Sequence, residues 1–135
     1  MPDYSVTYKT LSNCVYSCKY HIIFCPKYRR KVLSEDISER LKSIVLEASE
    51  ELHCEILEME VMPDHVHLLV EIPPTVGPGQ YVSRIKGRSS KILRSEFPSL
   101  KSRLPCLWTS SYFCSTIGGA PLEIVKQYVF NQKNV

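Results

Sequence analysis

Two kinds of hydrophobic spacing alternate along the chain and predict strands and helices in turn. After Ser34, apolar residues recur at helical spacing, with acidic residues in the first turn; they are Ile37, Leu41, Ile44, Val45, Ala48 and Leu52. A second helix is predicted from about residue 80 to 97, and a third, with Pro121 at its start, over 122–132. Runs rich in β-branched and aromatic residues predict strands at 13–24, 54–61, 65–72 and 107–117.

The order of these elements predicts the fold class. This order is typical of an α+β sandwich of the ferredoxin-like or RRM-like type: strand, helix, strand, strand, helix, strand and helix. We expect an antiparallel sheet of about four strands with helices on one face, a loop at 73–79 and a tight turn at 62–64. A single domain spanning 1–135 accounts for the whole chain, but such a fold hosts many functions.

Composition narrows the class of protein. A chain of 135 residues with 44% hydrophobic and 23% charged residues has enough apolar material for one packed core, which excludes wholesale disorder. No apolar run has membrane-spanning length and the first residues lack the pattern of a signal peptide, so we expect a cytoplasmic protein. The six cysteines form no Cys-x-x-Cys pair, and we expect them to be reduced and mostly buried.

Charge is unevenly distributed although the net charge is only +3. Residues 35–60 are strongly acidic, whereas 84–103 carry seven basic residues against Glu96 alone: Arg84, Lys86, Arg88, Lys91, Arg94, Lys101 and Arg103. A second basic cluster consists of Lys27, Arg29, Arg30 and Lys31. Two such clusters indicate a phosphate-rich partner, while a solvated helix face remains a fair interpretation of either cluster taken singly.

The candidate chemistry begins with His65 and His67, which are separated by one hydrophobic residue. Alternate side chains share a face of a strand, so both imidazoles could reach one divalent metal ion. In the last predicted helix, Tyr128 and Gln132 are four residues apart and share a face; the glutamine oxygen could be a third ligand and the phenol could meet a metal-bound group. Spacing alone still favours ordinary packing for all four residues, and Asp64 is best explained as a turn residue.

Four segments in order and at matching spacing resemble the single-tyrosine HUH transposases of small insertion sequences. They are PDHVHLL at 63–69, IKGRSSK at 85–91, the pairs LW, YF and IG within 107–118, and YVFNQ at 128–132. The resemblance covers nearly the whole chain from residue 20 onward. It is far more specific than one His-x-His pair.

The resemblance implies an enzyme that cuts and rejoins single-stranded DNA at the ends of a mobile element and recognises hairpins nearby. It implies that Tyr128 is the nucleophile, forming a 5′-phosphotyrosine intermediate, and that His65, His67 and Gln132 bind Mg²⁺ or Mn²⁺. The implied DNA contacts are Arg84, Lys86, Arg88, Lys91, Arg94, Lys27, Arg29 and Arg30. It further implies a homodimer, with Tyr128 acting in cis or in trans. No nucleotide cofactor is expected, since the chain has no phosphate-binding Gly-rich loop.

Three alternatives stay open at this level. The first is a domesticated HUH relative that acts on hairpins of genomic repeats. The second is a non-catalytic nucleic-acid-binding module of ferredoxin-like fold, which explains the basic clusters but assigns no role to the histidines. The third, a metallohydrolase with a water nucleophile, would need another acidic ligand or base, and Asp64 is the only carboxylate adjacent to the histidine pair.

Overall fold

The computed structural model describes residues 9–11 and 13–117. Its elements, in chain order, are β1 (Lys9–Leu11), β2 (Cys14–Tyr16), β3 (Lys19–Phe24), a 3₁₀ turn (Lys27–Arg29), α1 (Glu35–Glu51), β4 (Glu55–Met62), β5 (His65–Glu71), α2 (Gly77–Glu96), α3 (Pro98–Arg103) and β6 (Phe113–Thr116). The predicted helix at 122–132, with Tyr128 and Gln132, lies outside the described residues.

The main sheet has the strand order β4-β5-β3-β6, and each neighbouring pair is antiparallel. With α1 between β3 and β4 and α2 between β5 and β6, this is the predicted βαββαβ order of a ferredoxin-like α+β fold. The short strands β1 and β2 form a separate two-stranded sheet. The predicted fold class and four-stranded sheet are therefore confirmed.

The hydrophobic core lies between one face of the sheet and the helices. Val66, Leu68 and Val70 alternate along β5 and are fully buried, in the same cluster as Leu41 of α1 and Ile85 of α2. Because strand side chains alternate between faces, the residues between them point to the opposite face. This alternation places His65 and His67 on the face away from the helices.

Helix α1 forms as predicted, and helix α2 begins earlier than predicted. The Ser34 side chain makes no capping hydrogen bond, although its backbone is extended and α1 starts at Glu35. The predicted loop at 73–79 is wrong in its last residues because α2 starts at Gly77. Pro78 does not prevent this, since the first turn of a helix has no need of the proline N–H. Helix α2 ends at Glu96, two residues before Pro98.

Two predicted strands are shorter in the structure. The strand predicted at 13–24 is broken at residues 17–18 into β2 and β3, which belong to different sheets. The strand predicted at 107–117 forms only at Phe113–Thr116, while Trp108 makes an isolated bridge to Pro26. The carbonyls of Thr109 and Ser111 accept hydrogen bonds from the Lys86 ammonium and so take no part in a strand ladder. The short helix α3, opened by Pro98, was not predicted.

Two further expectations concern membrane-spanning segments and the cysteines. Within the described ranges, no helix is long and apolar enough to cross a membrane. The expectation that the cysteines are mostly buried is wrong. Of the six, all within the described ranges and none in a disulfide, Cys54 is buried, Cys106 is exposed and the other four are half-buried.

Candidate metal centre and nucleic-acid interface

The two histidines of β5 lie side by side on the face of the sheet opposite the helices. In the antiparallel ladder His65 pairs with Met62 and His67 with Glu60 of β4, while His67 also pairs with Ile23 of β3. The His65 side chain is 14% exposed and His67 is 7% exposed. The predicted shared face is thus present, and its outer end, at His65, is the more accessible one.

Asp64 orients His65. One carboxylate oxygen of Asp64 lies 2.9 Å from Nδ1 of His65, and the other accepts a hydrogen bond from Nη2 of Arg29 at 3.1 Å. When the Nδ1–H of His65 donates to the carboxylate, Nε2 keeps its lone pair for a metal ion, which is the carboxylate–histidine arrangement common around bound metals. Sequence reasoning assigned Asp64 to the turn alone. The signal for its second role was an acidic residue directly before the first histidine.

The ionisation of Asp64 matches this arrangement. Burial opposes the charged carboxylate, but the hydrogen bonds from His65 and Arg29, together with the positive charge of Arg29, outweigh burial and hold the pKa of Asp64 below its ordinary value. Asp64 therefore stays an acceptor at neutral pH. Through these two contacts the Asp64 carboxylate links Arg29 of the basic 3₁₀ turn to His65.

A third histidine, which sequence reasoning did not place in this site, contacts His67. Nδ1 of His21 lies 2.8 Å from Nε2 of His67, and the two rings stack with centroids 5.0 Å apart and planes inclined by 14°. One nitrogen must donate and the other accept. Ligation of a metal through Nε2 of His67 would therefore replace the contact with His21, whereas His65 is already oriented for ligation. Strand periodicity could have placed His21 in this site. Ile22 and Phe24 belong to the core, so His21, which alternates with them along β3, lies on the opposite face of the sheet.

The donor set fits half of a divalent metal site. Two imidazoles on one strand face, one of them oriented by a carboxylate, are suitable ligands for Mn²⁺ and other first-row ions. In the described part of the chain, no group of three or more His, Cys, Asp or Glu side chains is arranged to hold a metal ion. A third protein ligand must then be of another type or lie elsewhere. The predicted one, Gln132, is an amide outside the described residues.

The same face of the sheet carries a buried ion pair farther along the strands. Lys19 of β3 and Glu71 of β5 are register partners, and Nζ of Lys19 lies 3.5 Å from a carboxylate oxygen of Glu71. Glu71 also accepts a hydrogen bond from the Cys18 amide, and Lys19 donates to Ser17. Both charges are thus paired and hydrogen-bonded, as burial requires.

The basic residues of α2 differ in what their side chains contact. Arg84 and Lys91 are exposed, and Arg94 is half-buried. Arg88 forms an ion pair with Glu51 of α1. Lys86 is drawn inward: its ammonium donates to two carbonyls of the following loop, both at 2.8 Å, and burial lowers its pKa.

The predicted second basic cluster occupies the 3₁₀ turn and the residues after it. Arg29 is bound to Asp64, whereas Arg30 is exposed and Lys27 is half-buried, with its ammonium 5.3 Å from the centre of the Tyr28 ring. This cluster is adjacent to the histidine pair through the Arg29–Asp64 contact. The predicted DNA contacts are thus distributed between the turn beside the histidines and helix α2.

Comparison with known proteins gives consistent results. Residues 14–132 match the family described as "Transposase IS200 like". The chain is 35% identical over 120 residues to the ISDra2 transposase TnpA of Deinococcus radiodurans, a match covering 87% of this chain and 86% of that protein. It is 34% identical over 126 residues to the transposase for insertion sequence element IS200 of Salmonella typhimurium, covering 92% of this chain and 82% of that protein.

Solved structures also share this fold. The crystal structure of a putative transposase from Deinococcus radiodurans superposes with a TM-score of 0.77 at 34% identity, covering 92% of this chain and 97% of the other. A REP-associated tyrosine transposase bound to a REP hairpin superposes with a TM-score of 0.60 at 16% identity, covering 96% of this chain and 68% of the other. At that identity the second likeness shows the fold alone.

Proposed function

The chain belongs to the IS200-like transposase family, and on that premise we propose that it cuts and rejoins single-stranded DNA at the ends of an insertion sequence, with Tyr128 as nucleophile. The observation that carries the proposal is the pair His65 and His67 on one face of β5, with Asp64 orienting the first of them. A non-catalytic binding module has no use for two imidazoles on one strand face, one of them oriented by a carboxylate, beside a basic turn. The carboxylate and the pair are what a phosphate-activating site requires.

The chemistry follows from the residue types. The Tyr128 hydroxyl gives up its proton as its oxygen bonds to phosphorus. The bond from phosphorus to the 3′ oxygen breaks, and that oxygen takes up a proton and leaves as a 3′-hydroxyl. The product is a 5′-phosphotyrosine. Attack by a 3′-hydroxyl on this ester reseals a strand and returns the phenol, so no nucleotide cofactor is consumed.

Tyrosine needs help at neutral pH because the pKa of a free phenol is about 10. His65, His67 and Gln132 would hold a Mg²⁺ or Mn²⁺ ion, which would supply a Lewis acid to polarise the phosphate and offset the developing charge. Imidazole ligands favour Mn²⁺, since Mg²⁺ prefers oxygen donors. Asp64 holds His65 in the ligating tautomer.

We also propose that the chain binds a DNA hairpin and acts as a homodimer. Exposed Arg84 and Lys91 on α2, with Arg30 and Lys27 at the turn, offer cations for backbone phosphates, which set affinity and register without reading sequence. Of the remaining predicted contacts, Arg29, Lys86 and Arg88 already have protein partners, and Arg94, like Lys27, is half-buried. Lys86 would act by holding the loop that it binds.

The test is formation of a covalent protein–DNA adduct. The full chain is incubated with single-stranded DNA from the element's end and Mn²⁺ or Mg²⁺, and products are separated under denaturing conditions. We expect an adduct with the wild type and none with Tyr128→Phe, while Tyr112→Phe, a loss of hydroxyl elsewhere, leaves the adduct in place. We expect His67→Ala to lose the adduct but keep hairpin binding. An adduct with Tyr128→Phe, or none with the wild type, contradicts the proposal.

A further inference from the structure

The basic turn after β3 has an unusual backbone. Tyr28 has φ 60° and ψ 18°, and Arg29 follows with φ 49°. Two consecutive residues in the left-handed region, neither of them glycine, store strain, because Cβ crowds the backbone there. Strain of this kind persists only where the surroundings impose it, and it concentrates at functional sites.

The surroundings of this turn do impose it. The Lys27 amide donates to the carbonyl of Leu107 at 2.8 Å, and the Arg29 amide donates to the carbonyl of Pro26 at 2.8 Å. Pro26 itself pairs with Trp108 in an isolated bridge. One hydrogen bond to Leu107 and one within the turn therefore hold the turn in its strained shape.

The strained turn displays an aromatic ring to solvent. Tyr28 is 66% exposed, so most of its ring is open to a ligand from solvent. Basic residues flank it on both sides in the chain, and the Lys27 ammonium lies against the ring, 5.3 Å from its centre. An exposed ring among cations is the arrangement with which proteins hold single-stranded nucleic acid: the cations meet phosphates and a base stacks on the ring.

The turn is also tied to the candidate metal centre. Arg29, the residue after Tyr28, donates to Asp64, which in turn contacts His65. A base held on Tyr28 would therefore lie on a turn that contacts the candidate metal centre through Arg29 and Asp64. We propose that Tyr28 is a stacking platform for one unpaired base of the single-stranded DNA on which the site acts, an inference that rests on the proposed function.

The test measures equilibrium binding of the metal-free full chain to a short fluorescein-labelled thymidine oligonucleotide by anisotropy. Stacking of one base contributes about 1–3 kcal/mol by truncation, so Tyr28→Leu should weaken binding about 5- to 150-fold, and exposure of the ring favours the lower end. Tyr28→Phe keeps the ring and should bind like the wild type. Leu46→Ala, which truncates an exposed apolar side chain on α1, serves as the matched control and should have no effect.

A second measurement separates stacking from damage to the turn. Tyr28→Gly removes the ring and relieves the left-handed strain, so it should lose binding as Tyr28→Leu does while its melting temperature stays the same or rises. When an oligonucleotide that carries one 2-aminopurine base is bound, the wild type and Tyr28→Phe should quench the fluorescence of that base. Tyr28→Leu should not quench it. Unchanged affinity for Tyr28→Leu, or weakened binding for Tyr28→Phe, would overturn the proposal.

These readouts are independent of the transposase chemistry. If Tyr28 governs binding while no covalent adduct forms, the base site stands and the proposed catalytic function fails. If adducts form and the affinity of Tyr28→Leu is unchanged, the catalytic function stands and the base site is refuted.

Discussion

The link from Asp64 to His65 leads to a prediction that can be worked through in numbers. Replacing Asp64 with asparagine keeps the shape of the side chain but removes its charge and one of its two acceptor oxygens. Asparagine can accept from His65 or from Arg29, but not from both, since its second terminal atom is an N–H donor. We therefore expect the Asp64→Asn variant to lose control of the His65 tautomer.

The size of the effect follows from two considerations. A hydrogen bond to a charged group contributes about 1.5–3 kcal/mol, and the Asp64 side chain, 22% exposed, is sheltered enough to keep much of that. Removal of a residue that orients a metal ligand typically weakens metal binding about 10- to 100-fold, which corresponds to about 1.4–2.8 kcal/mol. The two ranges overlap, so we expect Mn²⁺ affinity to fall by at least about tenfold.

Two measurements check this prediction. Isothermal titration with Mn²⁺ gives the affinity, and ¹⁵N NMR of the imidazole gives the tautomer of His65 without any metal. Glu47→Gln, which neutralises an exposed carboxylate on α1, is the matched control and should change neither. If Asp64→Asn leaves both the Mn²⁺ affinity and the tautomer as they are in the wild type, the reasoning about Asp64 is refuted.

Three further predictions concern stability and reactivity. Leu68→Ala opens a cavity at a fully buried position of β5 and should lower the free energy of unfolding by about 2–5 kcal/mol, measured by urea denaturation. A loss below about 1 kcal/mol would argue against a packed core between the sheet and the helices. Burial raises the pKa of Cys54 to about 12. Iodoacetamide should therefore alkylate exposed Cys106 first and Cys54 last, as followed by mass spectrometry over time. Early alkylation of Cys54 would contradict this prediction. The hydrogen bond from Arg40 lowers the pKa of Glu96. The pair therefore stabilises the fold above the unfolded-state pKa of Glu96, and this stabilisation is lost as the pH falls through the lowered folded-state pKa. Arg40→Met should return the pKa of Glu96, measured by NMR, to its ordinary range.

Much of the architecture was predictable because its signals are local. The periodicity of α1 appears in residues three or four apart, and the alternation of β5 appears in residues two apart, so neighbours along the chain carry both patterns. The strand predicted at 107–117 was mostly wrong for a reason that is not local. Lys86, more than twenty residues earlier, binds two carbonyls of that segment and holds it as a loop.

The sequence by itself determined that His65 and His67 share a face, since the pleat of any strand places alternate side chains together, and its ordered segments indicated the family. Only the tertiary structure decided their neighbours. Sheet register brings His21 against His67 from 46 residues away, and the packing of the turn brings Arg29 to Asp64 from 35 residues away. Strand pairing and turn geometry depend on how the whole chain packs, and no spacing within one segment records them.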